Sequence, residues 1–232
     1  MIPWLRPADP FPPLESALRE PNGLLAAGSD LSVKTLLDAY RRGIFPWFSD
    51  NDPIMWWSPD PRMVMFPSEL RVPRSLRKAS RAANFEITAD RVFSQVIAAC
   101  SSPRDGQAGT WITEQMVAAY TELHHAGFAH SIETWMDGEL AGGLYGIAIG
   151  RAFFGESMFT RADNASKVAL TVLARQLAAW NFGVIDCQMR TDHLAMFGAR
   201  EIPRVEFAQQ LNELVKCDDI SGRWEIEIDT AL

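Results

Sequence analysis

The segment from His130 to Met189 limits the fold more than any other part of the chain. His130 to Trp135 alternates, Asp137-Gly138 is a strong hairpin-turn signal, and Glu139 to Ile149 reads as a second strand. Gly150-Arg151 marks the next turn and Ala152 to Phe159 a third strand. Asp163 or Asn164 is placed to cap a long helix running to about residue 181, with Gly183 just past its end. Val184 to Met189 is a fourth strand. Asp192 then caps a short helix to Phe197, which Gly198 ends. Three antiparallel strands followed by a strand–helix–strand unit specify an α/β (α+β) domain built on a mixed sheet.

The preceding half has a different character. Residues 1–30 are rich in proline and glycine and read as loops. Ser32 predicts a capped helix from about 33 to 42, ended by Gly43. Asp90 predicts a helix from about 91 to 100, and Thr113 one from about 114 to 126. A strand is expected near 63–66. The character changes at the polar loop Ser101 to Gly109, so the expected division is a small N-terminal domain, residues 1–105, and a larger one, residues 106–232. The tail alternates at Trp224-Glu225-Ile226-Glu227-Ile228, an expected edge strand with no assigned role.

Between the first helix and that strand lies Gly43-Ile44-Phe45-Pro46-Trp47-Phe48, then Trp56-Trp57-Ser58-Pro59-Asp60-Pro61-Arg62. Three of the eight tryptophans fall within these few turns of chain. The cluster has neither helical nor strand period. Two readings fit: a proline-rich seam between domains, or a rigid aromatic platform on which a base stacks.

The chain of 232 residues is 47% hydrophobic, enough for a packed core. No run of about 18 apolar residues predicts a membrane span, and Met1 to Arg6 does not resemble a secretion signal. Cys100, Cys187 and Cys217 have neither metal nor redox spacing, which suits free thiols in a reducing cytoplasm. A net charge of −7 argues against general nucleic-acid binding. One basic patch remains: Arg71, Arg74, Arg77, Lys78 and Arg81, with no acid between them. In a helix 74, 77, 78 and 81 share a face, either a solvated surface or a strip for phosphates.

Chemistry points to two strands. Gly155-Glu156-Ser157 on the third and Asp186-Cys187-Gln188 on the fourth place acids within apolar segments. Strands joined by one crossover helix are often neighbours, so Glu156, Asp186 and Gln188 are expected to face one cleft. Buried acids need partners or a function; two acids and a glutamine converging point to a site. No phosphate-binding loop, dinucleotide fingerprint or nucleophile elbow occurs. His124, His125, His130 and His193 show no recurring metal-ligand spacing, so no metal and no cofactor is expected.

The four-strand block resembles the Gcn5-related N-acetyltransferase superfamily. Members that use acyl-CoA carry a glycine-rich loop before the long helix. The corresponding Thr160-Arg161-Ala162-Asp163-Asn164-Ala165-Ser166-Lys167 has no glycine, and Asp163 repels phosphate. Across Phe11 to Phe207 the chain resembles the leucyl/phenylalanyl-tRNA–protein transferase family. The resemblance is carried by Leu18 to Leu25, Gly43 to Phe48, Trp56 to Arg62, Gly109-Thr110-Trp111-Ile112-Thr113, Gly155 to Phe159, Asn164 to Lys167 and Ile185-Asp186-Cys187-Gln188.

That resemblance implies a small N-terminal domain followed by an acyltransferase-like domain. It implies transfer of Leu or Phe, and less well Met, from aminoacyl-tRNA to proteins beginning with Lys or Arg, which marks them for N-end rule degradation. It further implies that Trp47 and Trp111 hold the terminal adenosine, and that Leu144, Phe153, Leu173 and Ile185 line the amino-acid pocket beside Gly155. Leu144 stands where Met is usual and Leu173 where Phe is common. Asp186 is the expected base, Gln188 orients the acceptor amine, Glu156 binds an ammonium, and Arg71 to Arg81 contacts tRNA phosphates. A monomer is expected. The rival readings are an acyl-CoA-dependent N-acyltransferase, which free coenzyme A would inhibit, and a non-catalytic tRNA-binding module, which would leave the tRNA ester intact.

Overall fold

Asp137 and Gly138 both adopt left-handed backbone, φ 52° and 81°, and close the two-residue turn between the strands ending at Met136 and starting at Glu139. The computed structural model describes residues 2–83, 85–102, 112–220 and 222–231. In chain order the elements are β1 (Trp4–Leu5), β2 (Leu24–Gly28), α1 (Val33–Arg41), β3 (Phe45–Pro46), β4 (Met55–Trp57), β5 (Arg62–Met65), α2 (Arg74–Ala83), β6 (Glu86–Ala89) and α3 (Phe93–Ser101). Then follow α4 (Glu114–His125), β7 (Ala129–Met136), β8 (Glu139–Ile149), β9 (Ala152–Thr160), α5 (Ala165–Ala179), β10 (Val184–Gln188), α6 (Asp192–Ala195), β11 (Arg200–Ile202) and α7 (Arg204–Leu214).

A small sheet runs β1-β2-β4-β3 and a seven-stranded sheet runs β11-β5-β10-β9-β8-β7-β6. In the large sheet β9 and β10, joined through α5, pair in parallel, while its other neighbours are antiparallel. This is the mixed-sheet α/β architecture expected. Alternation along the strands sorts side chains to two faces. Phe154 and Val184 join the apolar cluster that α1, α3 and α4 cover. Phe153 and Ile185 join the cluster that α5 covers. Helix α5 is apolar nearly all round because the sheet packs on one side and the C-terminal tail on the other.

The expected division at 105/106 follows a change of sequence character, whereas the change of sheet falls between Trp57 and Arg62. Strand β5 pairs with β10 and β11, and β6 pairs with β7, so residues before 105 supply two strands of the large sheet. The polar loop that carried the expectation lies mostly outside the described residues. Residues 24–28, read as loop, form β2, fully within the core.

The aromatic segment serves as the seam. Trp56 is fully buried; its indole N–H donates to the Gly28 carbonyl at 2.9 Å and its ring meets Phe11 edge-on. Trp57 donates to the Trp47 carbonyl at 2.7 Å. One apolar cluster runs from Leu24, Leu36 and Trp56 to Tyr120, Tyr145 and Phe154. Aromatics bury the most area per residue, which explains their density where two sheets meet.

Helix caps divide cleanly. Ser32 and Thr113 accept from the backbone N–H groups of Thr35 and Met116, as expected, each contributing about 1 kcal/mol. Asp90 does not cap α3; it sits at φ 52° and accepts from the Ser131 N–H instead. Asn164, at φ 69°, makes no capping bond. Thr191, not Asp192, caps α6, and Asn181 in left-handed backbone follows α5 before Gly183 is reached. The tail around Trp224 is irregular chain and adds no strand.

Candidate active site

Strands β9 and β10 are paired only as far as Asp186 opposite Phe154. Beyond that point β9 runs on to Thr160, while β10 bulges after Asp186 and ends at Gln188, whose φ is 61°. The strands part, and a cleft of ≈ 820 Å³ opens in the gap. Ligands bind at such switch points because the strand ends there face no neighbour. Leu144, Phe153, Leu173 and Ile185 all line the cleft, from the α5 side of the sheet. Gly155, Glu156, Asp186 and Gln188 line it as well.

Glu156 is 8% exposed and lies among the side chains of α1 and α4. The Tyr40 hydroxyl donates to Oε1 at 2.8 Å and the Tyr120 hydroxyl to Oε2 at 2.9 Å. The two hydroxyls are themselves 2.5 Å apart. Three oxygen–oxygen contacts need three protons, and the tyrosines bring two. A proton on the carboxyl supplies the third: one tyrosine then accepts from the carboxyl and passes its own proton to the other tyrosine. Burial pushes the Glu156 carboxyl up to about 7, with Asp186 adding to the rise, while the tyrosine hydrogen bonds and Arg62 pull the other way. Gln188 Nε2 donates to Glu156 Oε1 at 3.1 Å. Glu156 and Gln188 thus converge, through the bulge rather than through simple alternation.

Asp186 faces a different environment. Arg62 Nε and Nη2 donate to its two oxygens at 2.8 and 2.7 Å, and neither side chain has exposed area. The Gln188 backbone N–H takes a further acceptor site at 2.9 Å. The guanidinium lies over the rings of Phe45 and Phe207, 4.8 and 4.9 Å from their centroids. The base role expected of Asp186 is not what this geometry offers. Its charge is matched by Arg62 and three of its acceptor sites are engaged, so it holds Arg62 and the Gln188 turn in place.

Sequence reasoning missed Arg62 as a partner and missed Tyr40 and Tyr120 altogether. The chain contains three tyrosines, and all three surround Glu156. Tyr145 lines the cleft and meets Tyr120 edge-on at 5.7 Å; its buried hydroxyl has no hydrogen-bond partner among the described residues. The available signal was a phenol on the buried face of each predicted helix, where its hydroxyl requires a partner.

The remaining predicted residues lie elsewhere. Trp47 is 38% exposed, its ring edge-on to Trp57 at 5.4 Å, and it is not part of the cleft lining. Trp111 falls outside the described residues, as does the side chain of Arg81. Arg71, Arg74, Arg77 and Lys78 are exposed along α2 and the turn before it, and Leu76 anchors that helix in the core. Arg74, Arg77 and Lys78 form no ion pair among the described residues. His193 lines the cleft near Lys167, and burial with that neighbouring charge holds its imidazole below the usual value.

The sequence pattern of leucyl/phenylalanyl-tRNA protein transferases matches residues 64–212, and that of their N-terminal domain matches residues 29–60. The two patterns meet where the chain passes from one sheet to the other. The chain is 61% identical to the leucyl/phenylalanyl-tRNA–protein transferase of Nitrosospira multiformis over 97% of each chain. It is 60% identical to that of Nitrosomonas europaea, over 97% of this chain and 95% of the relative. Among solved structures, a conserved protein of unknown function from Bacteroides thetaiotaomicron aligns over 71% of this chain and 57% of its own at 13% identity and a TM-score of 0.42, too loosely to bear on the argument. Nearly full-length identity of this order, on a fold with an open apolar cleft beside a buried carboxyl, establishes that the chain belongs to the leucyl/phenylalanyl-tRNA–protein transferase family.

Proposed function

We propose that this chain transfers Leu or Phe, and less well Met, from aminoacyl-tRNA to the N-terminal amine of proteins beginning with Lys or Arg, marking them for N-end rule degradation. The observation that carries the mechanism is the single cleft in which an apolar pocket adjoins Glu156 and Gln188. The pocket residues Leu144, Phe153, Leu173 and Ile185 take the donor's side chain. An apolar pocket discriminates one methylene by only about 1–3 kcal/mol, which suits a donor set of similar size.

The reaction is aminolysis of an ester. The acceptor nitrogen attacks the carbonyl carbon, a C–N bond forms, and the C–O bond to the ribose breaks. The attacking amine loses a proton and the leaving ribose oxygen gains one. Glu156, with a carboxyl near 7, is suited to carry that proton between them, because efficient transfer needs a group poised near the working pH. Gln188 gives its N–H to Glu156, leaving its carbonyl oxygen to accept from the acceptor amine. Asp186 and Arg62 position this pair. Arg62 cancels the charge of Asp186, so the negative charge that a Lys or Arg acceptor meets is that of Glu156 once its carboxyl has given up its proton.

Trp47 and Trp111 are proposed to hold the terminal adenosine, where stacking contributes about 1–3 kcal/mol. The exposed cations of α2 are proposed to meet tRNA phosphates. Reversing two of them, Arg74→Glu with Arg77→Glu, should weaken tRNA binding and reduce the slope of log K against log salt by about 2, close to one for each lost contact. An unchanged slope would make the strip a solvated surface.

Transfer of labelled Leu from Leu-tRNA to a peptide beginning with Arg, beside the same peptide beginning with Ala, tests the activity. Label on the Arg peptide alone is expected. Label on neither, with tRNA still bound, would overturn the reading.

A further inference from the structure

The last residues of the chain are tied to the molecule at many points. The Gly150 N–H donates to Asp219 at 2.6 Å and the Trp224 N–H to Asp90 at 2.8 Å. Farther on, the Glu227 N–H donates to the Gln176 side chain at 2.8 Å, and Trp180 returns an indole N–H to Glu227 at 2.9 Å. Ile226 and Ile228 lie against the apolar cluster on the α5 side of the sheet.

Trp224 is the centre of this attachment and is 2% exposed. Its ring stacks on His130 at 3.8 Å and 6° and meets Trp180 edge-on at 5.0 Å. Phe153 and Phe182 come next, with ring centroids 6.0 and 6.2 Å away. Phe153 also lines the cleft. Elsewhere its ring crosses Gly146 so closely that a Cβ on that glycine would fall 2.5 Å from Cζ. The pocket wall is therefore held by bare backbone at one contact and by the tail's indole at another.

We propose that the carboxy-terminal segment, through Trp224, sets the size of the amino-acid pocket and so helps determine which aminoacyl group the cleft accepts. This rests on the transfer reading above. Trp224 is a positioning residue: it acts through Phe153 without touching the donor. Close-packed interiors pass a change of volume on to their neighbours, so a smaller residue at 224 lets Phe153 retreat from the cleft. The deeper pocket gains contact with a phenylalanyl group and loses contact with a leucyl group.

The test compares kcat/KM for Phe-tRNA and Leu-tRNA in the full chain, in Trp224→Leu and in the milder Trp224→Phe. Taking both values on one preparation cancels the folded fraction, so a merely structural role lowers the two together and leaves their ratio alone. The expected result is a Phe-to-Leu ratio about tenfold higher in Trp224→Leu, within the range a few methylenes of pocket space produce, and a smaller rise in Trp224→Phe. An unchanged ratio overturns the proposal. If Trp224→Leu does not fold, Trp224→Phe alone decides. Absence of transfer by the unsubstituted chain would instead overturn the functional reading.

Discussion

Glu156→Gln is expected to lower turnover by about two to four orders of magnitude, the usual worth of a positioned proton carrier, with tRNA affinity little changed. The amide fits the same space and keeps an acceptor for the tyrosine hydroxyls, so loss of the proton site is separated from loss of shape. The pH dependence carries a second signature. A base must be deprotonated, so wild-type kcat/KM should rise through about pH 7, where burial sets the Glu156 carboxyl. The acceptor amine, near 8, contributes a separate limb, and only that limb should remain in the variant. Stability moves in the opposite sense. Below its unfolded value near 4.5 the carboxyl is protonated in both states; between 4.5 and about 7 the folded state alone keeps the proton. Unfolding free energy therefore falls as pH rises across that window and flattens above it. The spread from 4.5 to about 7 corresponds to roughly 3 kcal/mol. Denaturant titrations of wild type and Glu156→Gln at pH 4.5 and 7.5 read this directly: the wild type should lose about that much relative to the variant. A variant that keeps wild-type turnover and its pH 7 limb would sink the role.

Arg62→Met should destabilise the fold by about 3–5 kcal/mol, because it leaves the Asp186 carboxylate buried without its partner. Asp186→Asn breaks the same pair from the other side. The two substitutions should part in their effect on rate. Arg62 lowers the Glu156 carboxyl and Asp186 raises it, so the rising limb of the pH profile should move to higher pH in Arg62→Met and to lower pH in Asp186→Asn. If Asp186 were itself the base, Asp186→Asn would erase turnover at every pH and leave no limb to move. Chemical denaturation gives the first quantity and kcat/KM against pH the second.

What could be read from the sequence follows from locality. The Asp137-Gly138 hairpin, the Ser32 and Thr113 caps and the long helix between β9 and β10 are written in short-range residue patterns, and the structure has them. Neighbouring of β9 and β10 followed from one handed connection. The attachment of β5 and β6 to the large sheet did not, because pairing between residues 62–65 and 184–188 leaves no periodic trace in either segment. The pocket residues came from family resemblance rather than pattern; no spacing rule distinguishes Leu144 from another core leucine. The Arg62–Asp186 pair was hidden for the same reason: the two residues are 124 positions apart, and Arg62 sat in a segment read for its aromatics. Asp90 misled because an aspartate before a helix reads as a cap, while its lone pairs were committed to Ser131, His130 and the tail.

The placing of every tyrosine around one carboxyl has a practical side. A chain with eight tryptophans usually buries any tyrosine signal under bystanders, but here no phenol lies anywhere else. Burial and the neighbouring Glu156 charge hold all three hydroxyls well above their ordinary ionisation. Whatever makes tyrosinate absorb, or brings a ring within reach of nitration, has loosened the core around Glu156. The ionisation of these three phenols, read as a difference spectrum against the constant tryptophan absorbance, thus reports on the surroundings of Glu156 with no label to add.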